Sequence, residues 1–179
     1  MSIPPKTLKS ELIYSGRVIS LIKDTVILPS GRTAIREKVM HHGSVGILPV
    51  LEDGRLVLVK QFRYVVGFDL LEIPAGTIEE GESPEACAAR ELLEETGYRV
   101  DKLIPLSAFY LAPGYSNEFM WLFKATELKE GEMRPMPDES IEVKKIDLDE
   151  ALQLIRSGEI RDVKTICAIL LYALLEKRR

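Results

Sequence analysis

Positive charge is the scarcer sign in this sequence: 24 lysines and arginines stand against 28 acids, a net charge of −4. A large nucleic-acid footprint needs a concentrated basic surface, so a nucleic-acid partner is not expected. The closing Lys177, Arg178 and Arg179 read as a solvated helix end near the negative pole of its dipole. Cysteine is scarce as well. Cys87 and Cys167 lie far apart, with no Cys-x-x-Cys or Cys/His spacing, which excludes a zinc ribbon or a disulfide framework. Both fall in apolar helical patterns, where a thiol behaves as a small hydrophobe. No apolar run nears the ~20 residues of a membrane span, and the opening "MSIPPKTLKS" has no apolar core of the secretory type. No membrane partner is expected, and a reducing cytoplasm is the expected setting. Internal repeats and low-complexity linkers are lacking too.

What is present suits one globular domain: 179 residues, 46% of them apolar, enough for a core. "GRVISLIKDTVILPSGRTAIREKVM" reads as strands joined by a Pro29-Ser30-Gly31 turn. "SVGILPVLEDGRLVLVKQFR" reads as a hairpin around Asp53-Gly54. "GFDLLEIPAG" reads as a short strand stopped by Pro74 and Gly76. A helix should follow, with Ser83 as N-cap, Pro84 in its first turn and Gly97 just past its end. Strands are expected near 103–111 and 118–124. "LDEALQLIRSGEI" has helical spacing up to Ser157-Gly158, and a last helix should start near Asp162. This order predicts an α/β fold with a mixed sheet and packed helices. Residues 1–41 are expected to form a small β-rich arm, and 42–179 the main domain.

Between Glu79 and Glu95 lie seven glutamates, with Arg90 the only base among them. On a helix of about 100° per residue, Glu91, Glu94 and Glu95 share one side, at spacings where Cβ atoms are about 5–6 Å apart. The same wheel puts Ala86, Ala89 and Leu93 roughly opposite, as the expected core face. Three such anions repel or raise one another's pKa. A solvated acidic face is one outcome; a divalent cation held by carboxylate oxygens is another. The tight segment with Ala75-Gly76 and Gly81, and Arg90 four residues before Glu94, favour the second.

Gly76, then Glu82 after five residues, then after seven more "RELLEETG" from Arg90 to Gly97, resembles the signature of Nudix hydrolases. Eight of its nine fixed positions match, and Tyr98 stands where an aliphatic residue is usual. The resemblance implies a Nudix-like α/β/α sandwich that hydrolyses a nucleoside diphosphate linked to another moiety. It implies Mg2+ as cofactor, with Mn2+ as a substitute. By motif position, Glu91, Glu94 and Glu95 become metal ligands, joined by the carbonyl of Ala75 and by Glu82 in support. Arg90 becomes the residue that orients a carboxylate.

Pro113, 16 residues after Gly97 in "YLAPGYSNE", resembles the ADP-ribose pyrophosphatase branch, as do "REKVMHHGSVGILPV", "VKQFRY" and "SGEIRDVKTICAILLYALL". Pro113-Gly114 is also simply a turn. The branch implies a nucleoside-side contact from Arg36, a phosphate contact from Arg63 and a catalytic base in the loop "MPDESIEV", where Glu139 is the candidate. Arg36 and Arg63 are equally the charges a strand face carries, and Glu139 the acid a loop carries. The expected substrate is ADP-ribose or a related nucleoside diphosphate sugar, and the expected assembly a homodimer made through the arm. The alternatives are another Nudix substrate (diadenosine polyphosphate, NADH or an oxidised nucleoside triphosphate) and a non-catalytic ligand sensor.

Overall fold

The computed structural model describes residues 3–134 and 140–176. The described chain falls into two compact units: Met1–Gly43 with Phe109–Met120, and Ser44–Ala108 with Trp121–Arg179.

In the first unit, β1 (Lys6–Ser15), β2 (Ser20–Ile27) and β3 (Thr33–Met40) form an antiparallel sheet in that order. Gly31 turns β2 into β3 with φ +84°, a conformation suited to glycine. Asp24 on the middle strand is buried; it accepts from Ser10 Oγ of β1 at 2.7 Å and pairs with Lys38 Nζ of β3 at 2.6 Å. One carboxylate thus ties all three strands, and the hydrogen bond from Lys38 leads in holding its pKa below the usual value. The sequence reading places no strand at 6–15. The reason lies in β1 itself, where register shifts at Thr7/Lys9 and Leu12/Tyr14 break the period-two pattern a strand normally shows. The loop carrying Pro113 docks on β3: Val39 N donates to Tyr115 O at 2.8 Å, and Asn117 N to Val39 O at 3.2 Å.

The second unit has two sheets. In one, β10 (Ile141–Ile146), β5 (Leu56–Arg63) and β6 (Phe68–Glu72) are antiparallel neighbours in that order. The other has the order β7-β4-β9-β8, with β7 (Ala75–Thr77), β4 (Ser44–Pro49), β9 (Phe119–Glu130) and β8 (Tyr98–Tyr110). Every residue of β4 is buried, so both its faces are covered, and α1 (Pro84–Thr96) and α3 (Val163–Glu176) both pack on it. Helix α2 (Leu148–Ser157) packs on α3. The core joins Val45 and Ile47 of β4 to Val57, Leu92, Phe123 and Ala125.

Two expectations need correction. Asp53-Gly54 does form a tight turn, with Gly54 N donating to Leu51 O at 2.9 Å. Its flanks are not a hairpin, however: after a single bridge, Val50 to Leu56, β4 and β5 enter different sheets. β4 is apolar on both faces and takes a central position. In "GFDLLEIPAG" the strand does stop ahead of Pro74, since β6 ends at Glu72, but Gly76 is no stop: Ala75–Thr77 resumes as β7 against β4, with Ser44 opposite Thr77. Helix α1 has its ends where the caps predict them. Ser83 Oγ accepts from Ala86 N at 3.2 Å, and Gly97, at φ +74°, donates its N–H to Leu93 O.

Candidate active site

The site is built on α1 and the segment before it. The buried residues of α1 are Cys87, Ala88, Leu92, Glu95 and Thr96, whereas Ala86 is exposed and Ala89 and Leu93 are half-buried. The expected core face is therefore wrong. The acids do not lie opposite the buried stripe; they run along it, and Glu95 is only 3% exposed. The small side chains of Cys87 and Ala88 let α1 approach β7 and β4 closely, and the glutamates enter at that junction.

Gly76 shows how close the approach is. A Cβ built there would lie 1.9 Å from Glu91 Oε1, so any side chain at 76 would claim the volume of the Glu91 carboxylate. Next to it, Ala75 N donates to Glu95 Oε2 at 3.2 Å, fixing the most buried acid of α1 to the start of β7.

Arg90 lies at the centre of the remaining acids. Its Nε and Nη2 donate to the two oxygens of Glu82 at 2.9 and 3.0 Å. Its Nη1 donates to Glu91 Oε1 at 2.7 Å and Glu94 Oε2 at 3.1 Å, and Nη2 also reaches Thr77 O at 3.3 Å. A planar guanidinium can serve this many acceptors, where an ammonium could not hold the same fork. The hydrogen bonds from Arg90 pull the Glu82 pKa down to about 2 and push that of Arg90 up. Burial pushes the neighbouring Cys87 thiol up to about 12, so it stays protonated and unreactive at neutral pH.

The acids are thus gathered around a cation. Among the described residues, no three His, Cys, Asp or Glu side chains close on a common point in the manner of metal ligands. The donor chemistry nonetheless fits a hard divalent cation: several carboxylates and the nearby Thr77 carbonyl, at a junction where the missing side chain of Gly76 makes room for the Glu91 carboxylate.

Arg63, at the end of β5, is half-buried. Its Nε and Nη2 donate to Glu72 Oε1 at 2.8 Å and Oε2 at 2.7 Å, and it also feels the negative charge of Glu95. The second unit therefore brings together Ala75, Glu82, Arg90, Glu91, Glu94 and Glu95, with Arg63 in electrostatic reach of the last. Arg36 and Pro113 belong to the first unit. Both are exposed, and Arg36 donates to its neighbour Ile35 O at 2.9 Å. Glu139 lies outside the described residues.

The sequence reading missed a buried charge cluster beside the site. Glu72 and Lys164 are 1% and 8% exposed and paired with each other, and Lys164 Nζ also lies 3.0 Å from Asp162 Oδ2. The available signal was a charge at an inward position of two apolar runs, "FDLLEIP" and "DVKTICAILL".

With this geometry, the chain belongs to the Nudix family: the NUDIX domain matches residues 40–168. Residues 5–39 match the nucleoside diphosphate sugar hydrolase N-terminal domain, so the protein is a Nudix hydrolase of the nucleoside diphosphate sugar type. It is 44% identical to an ADP-ribose pyrophosphatase of Bacillus subtilis over 94% of this chain and 92% of that protein. It is 41% identical to a methanol dehydrogenase activator of Bacillus methanolicus over 92% and 90% of the two chains. In fold, it superposes on an ADP compounds hydrolase with a TM-score of 0.88 over 99% and 97% of the chains, at 21% identity. The α/β fold with an N-terminal β-rich arm that the sequence predicts is the fold observed.

Proposed function

We propose that this protein hydrolyses the diphosphate bond of ADP-ribose, giving AMP and ribose 5-phosphate, with Mg2+ as the cofactor and Mn2+ able to replace it. The observation that carries this is the gathering of Glu82, Glu91 and Glu94 on Arg90, beside a Glu95 locked to Ala75 N–H. Similarity to a protein named ADP-ribose pyrophosphatase along nearly the whole chain supports the choice of sugar. Glu91, Glu94, Glu95 and the Ala75 carbonyl would hold the metal, with Glu82 in support. When bound, the metal supplies charge neutralisation for the diphosphate and a more acidic water.

The chain's own residues do the rest. Arg90 binds three carboxylates at once and limits their mutual repulsion. Arg63, with two of its N–H groups given to Glu72, keeps others for a phosphate oxygen. Arg36 serves as a contact on the nucleoside side, Pro113 shapes a loop at the substrate, and Glu139 accepts the proton of the attacking water. Two free thiols suit a reducing, cytoplasmic setting. Exposed Leu8, Leu12, Tyr14 and Ile35 on the arm support a homodimer formed there.

The test is turnover of ADP-ribose by the purified protein with magnesium, beside GDP-mannose, NADH and diadenosine polyphosphates. Wild type should cleave ADP-ribose fastest, and Glu94→Gln and Glu95→Gln should be slower by at least about a hundredfold. Equal rates in all three proteins would overturn the assignment.

A further inference from the structure

We propose that Lys164, in the first turn of α3, is a positioning residue that acts through Glu72 on Arg63 and thereby sets affinity for the diphosphate. The inference rests on the reading that Arg63 meets a substrate phosphate.

A buried lysine is costly. One at the N-terminal end of a helix is costlier, because the dipole there favours negative charge. Lys164 bears both penalties: it is 8% exposed and is the second residue of α3. A methionine of similar length would fill the same space without either. What the cation gains is its place in a row of alternating charge: Asp162, Lys164, Glu72, Arg63. Of these side chains, Arg63 is 39% exposed, against 2% for Glu72, 10% for Lys164 and 15% for Asp162. The row opens to solvent at the guanidinium.

Glu72 has two effects on Arg63. Its bidentate pair fixes the plane of the guanidinium, which is useful for a phosphate contact. Its charge also cancels part of the field that would attract the phosphate. Lys164 binds the same Glu72 Oε2 that Arg63 Nη2 binds, so it offsets that charge and anchors the carboxylate that sets the plane of the guanidinium. Lys164 is itself held by Asp162, whose Oδ2 accepts from Thr165 N at 3.0 Å as the cap of α3. Thr165 Oγ1 in turn accepts from Ile73 N at 2.8 Å, in the loop that leads to Ala75. One helical turn therefore braces Arg63 and the loop beside the acids together.

Steady-state kinetics on the nucleoside diphosphate sugar that wild type cleaves best, in a double-mutant cycle, test this. Lys164→Met should raise KM about tenfold with kcat within about twofold of wild type, and Lys164→Arg should recover most of the loss. In an Arg63→Ala background, Lys164→Met should add nothing. The side-chain Nε–H resonance of Arg63, read by NMR without substrate, should be sharp in wild type, broadened in Lys164→Met and sharp again in Lys164→Arg. Should Lys164→Met fail to fold, Lys164→Gln takes its place in every arm. An unchanged Arg63 resonance, or an equal rise in KM with and without Arg63, would overturn the inference. Wild type that cleaves no nucleoside diphosphate sugar would instead sink the proposed function, and the resonance would still decide the role of Lys164.

Discussion

Gly76 and Glu91 share one volume: a methyl group on the first would stand 1.9 Å from Oε1 of the second. The atom displaced is the far end of a flexible side chain, so Gly76→Ala should fold with its unfolding midpoint lowered by only a few degrees. Turnover should suffer far more, because a displacement of about 1 Å at a reacting centre can cost about a hundredfold. Thermal unfolding measured beside kcat/KM checks both halves; loss of stability without a matching loss of rate would contradict them.

Arg90 neutralises acids that would otherwise face one another. Arg90→Met should destabilise the fold by about 1–3 kcal/mol, since the group is partly buried and its partners lose charged hydrogen bonds. It should also make the fold more dependent on divalent ions. Millimolar magnesium should raise the unfolding midpoint more in the variant than in wild type, by mass action on the folded state. Equal shifts would show that the acids do not share a site for the ion.

How much of this was legible in the sequence depends on what each residue touches. Ser83, Pro84 and Gly97 set the ends of α1 through local bonds, and local bonds can be read from order alone. The spacing of Gly76, Glu82 and Arg90 to Gly97 marked the candidate site through its resemblance to a family motif, which order alone also carries. The face of α1 that turns inward was misread. Alanine and leucine suggested one side, but the close packing of Cys87 and Ala88 on β7 and β4 decided for the other. Only the partner strands carry that information. Glu72 and Lys164 escaped notice because each looks like a lone charge until two segments far apart in sequence meet.

Glu72 also predicts a pH dependence. Burial raises its pKa, but the hydrogen bonds and charges of Arg63 and Lys164 outweigh burial, and the net shift is downward from 4.5. A carboxyl whose folded pKa is depressed contributes stability above its unfolded pKa and loses that contribution as pH falls through the folded one. Between about pH 5 and pH 3, the unfolding midpoint of wild type should fall more steeply than that of Glu72→Gln. Parallel curves would show that Glu72 takes up no proton preferentially on unfolding.

On the arm, Leu12 is 65% exposed in β1. If the arm joins two copies, Leu12→Asp should shift the sedimenting species from dimer to monomer, while the arm keeps its Asp24 clamp and its strand content. A wild-type protein that sediments as a monomer at tens of micromolar would rule the assembly out.

The parting of β4 from β5 at the Asp53-Gly54 turn has a bearing on synthesis. β5 finds β6 within a few residues, but its other neighbour is β10, where Ile146 lies opposite Leu56. A nascent chain must therefore emerge past residue 146 before that sheet can close. Until then one flank of β5 is an open edge, next to a tip bearing Tyr64 and Val65, which stay 90% and 95% exposed even in the finished fold. Such late, distant pairing slows folding and leaves sticky surface uncovered, so expression at low temperature should give a larger yield of correctly folded material.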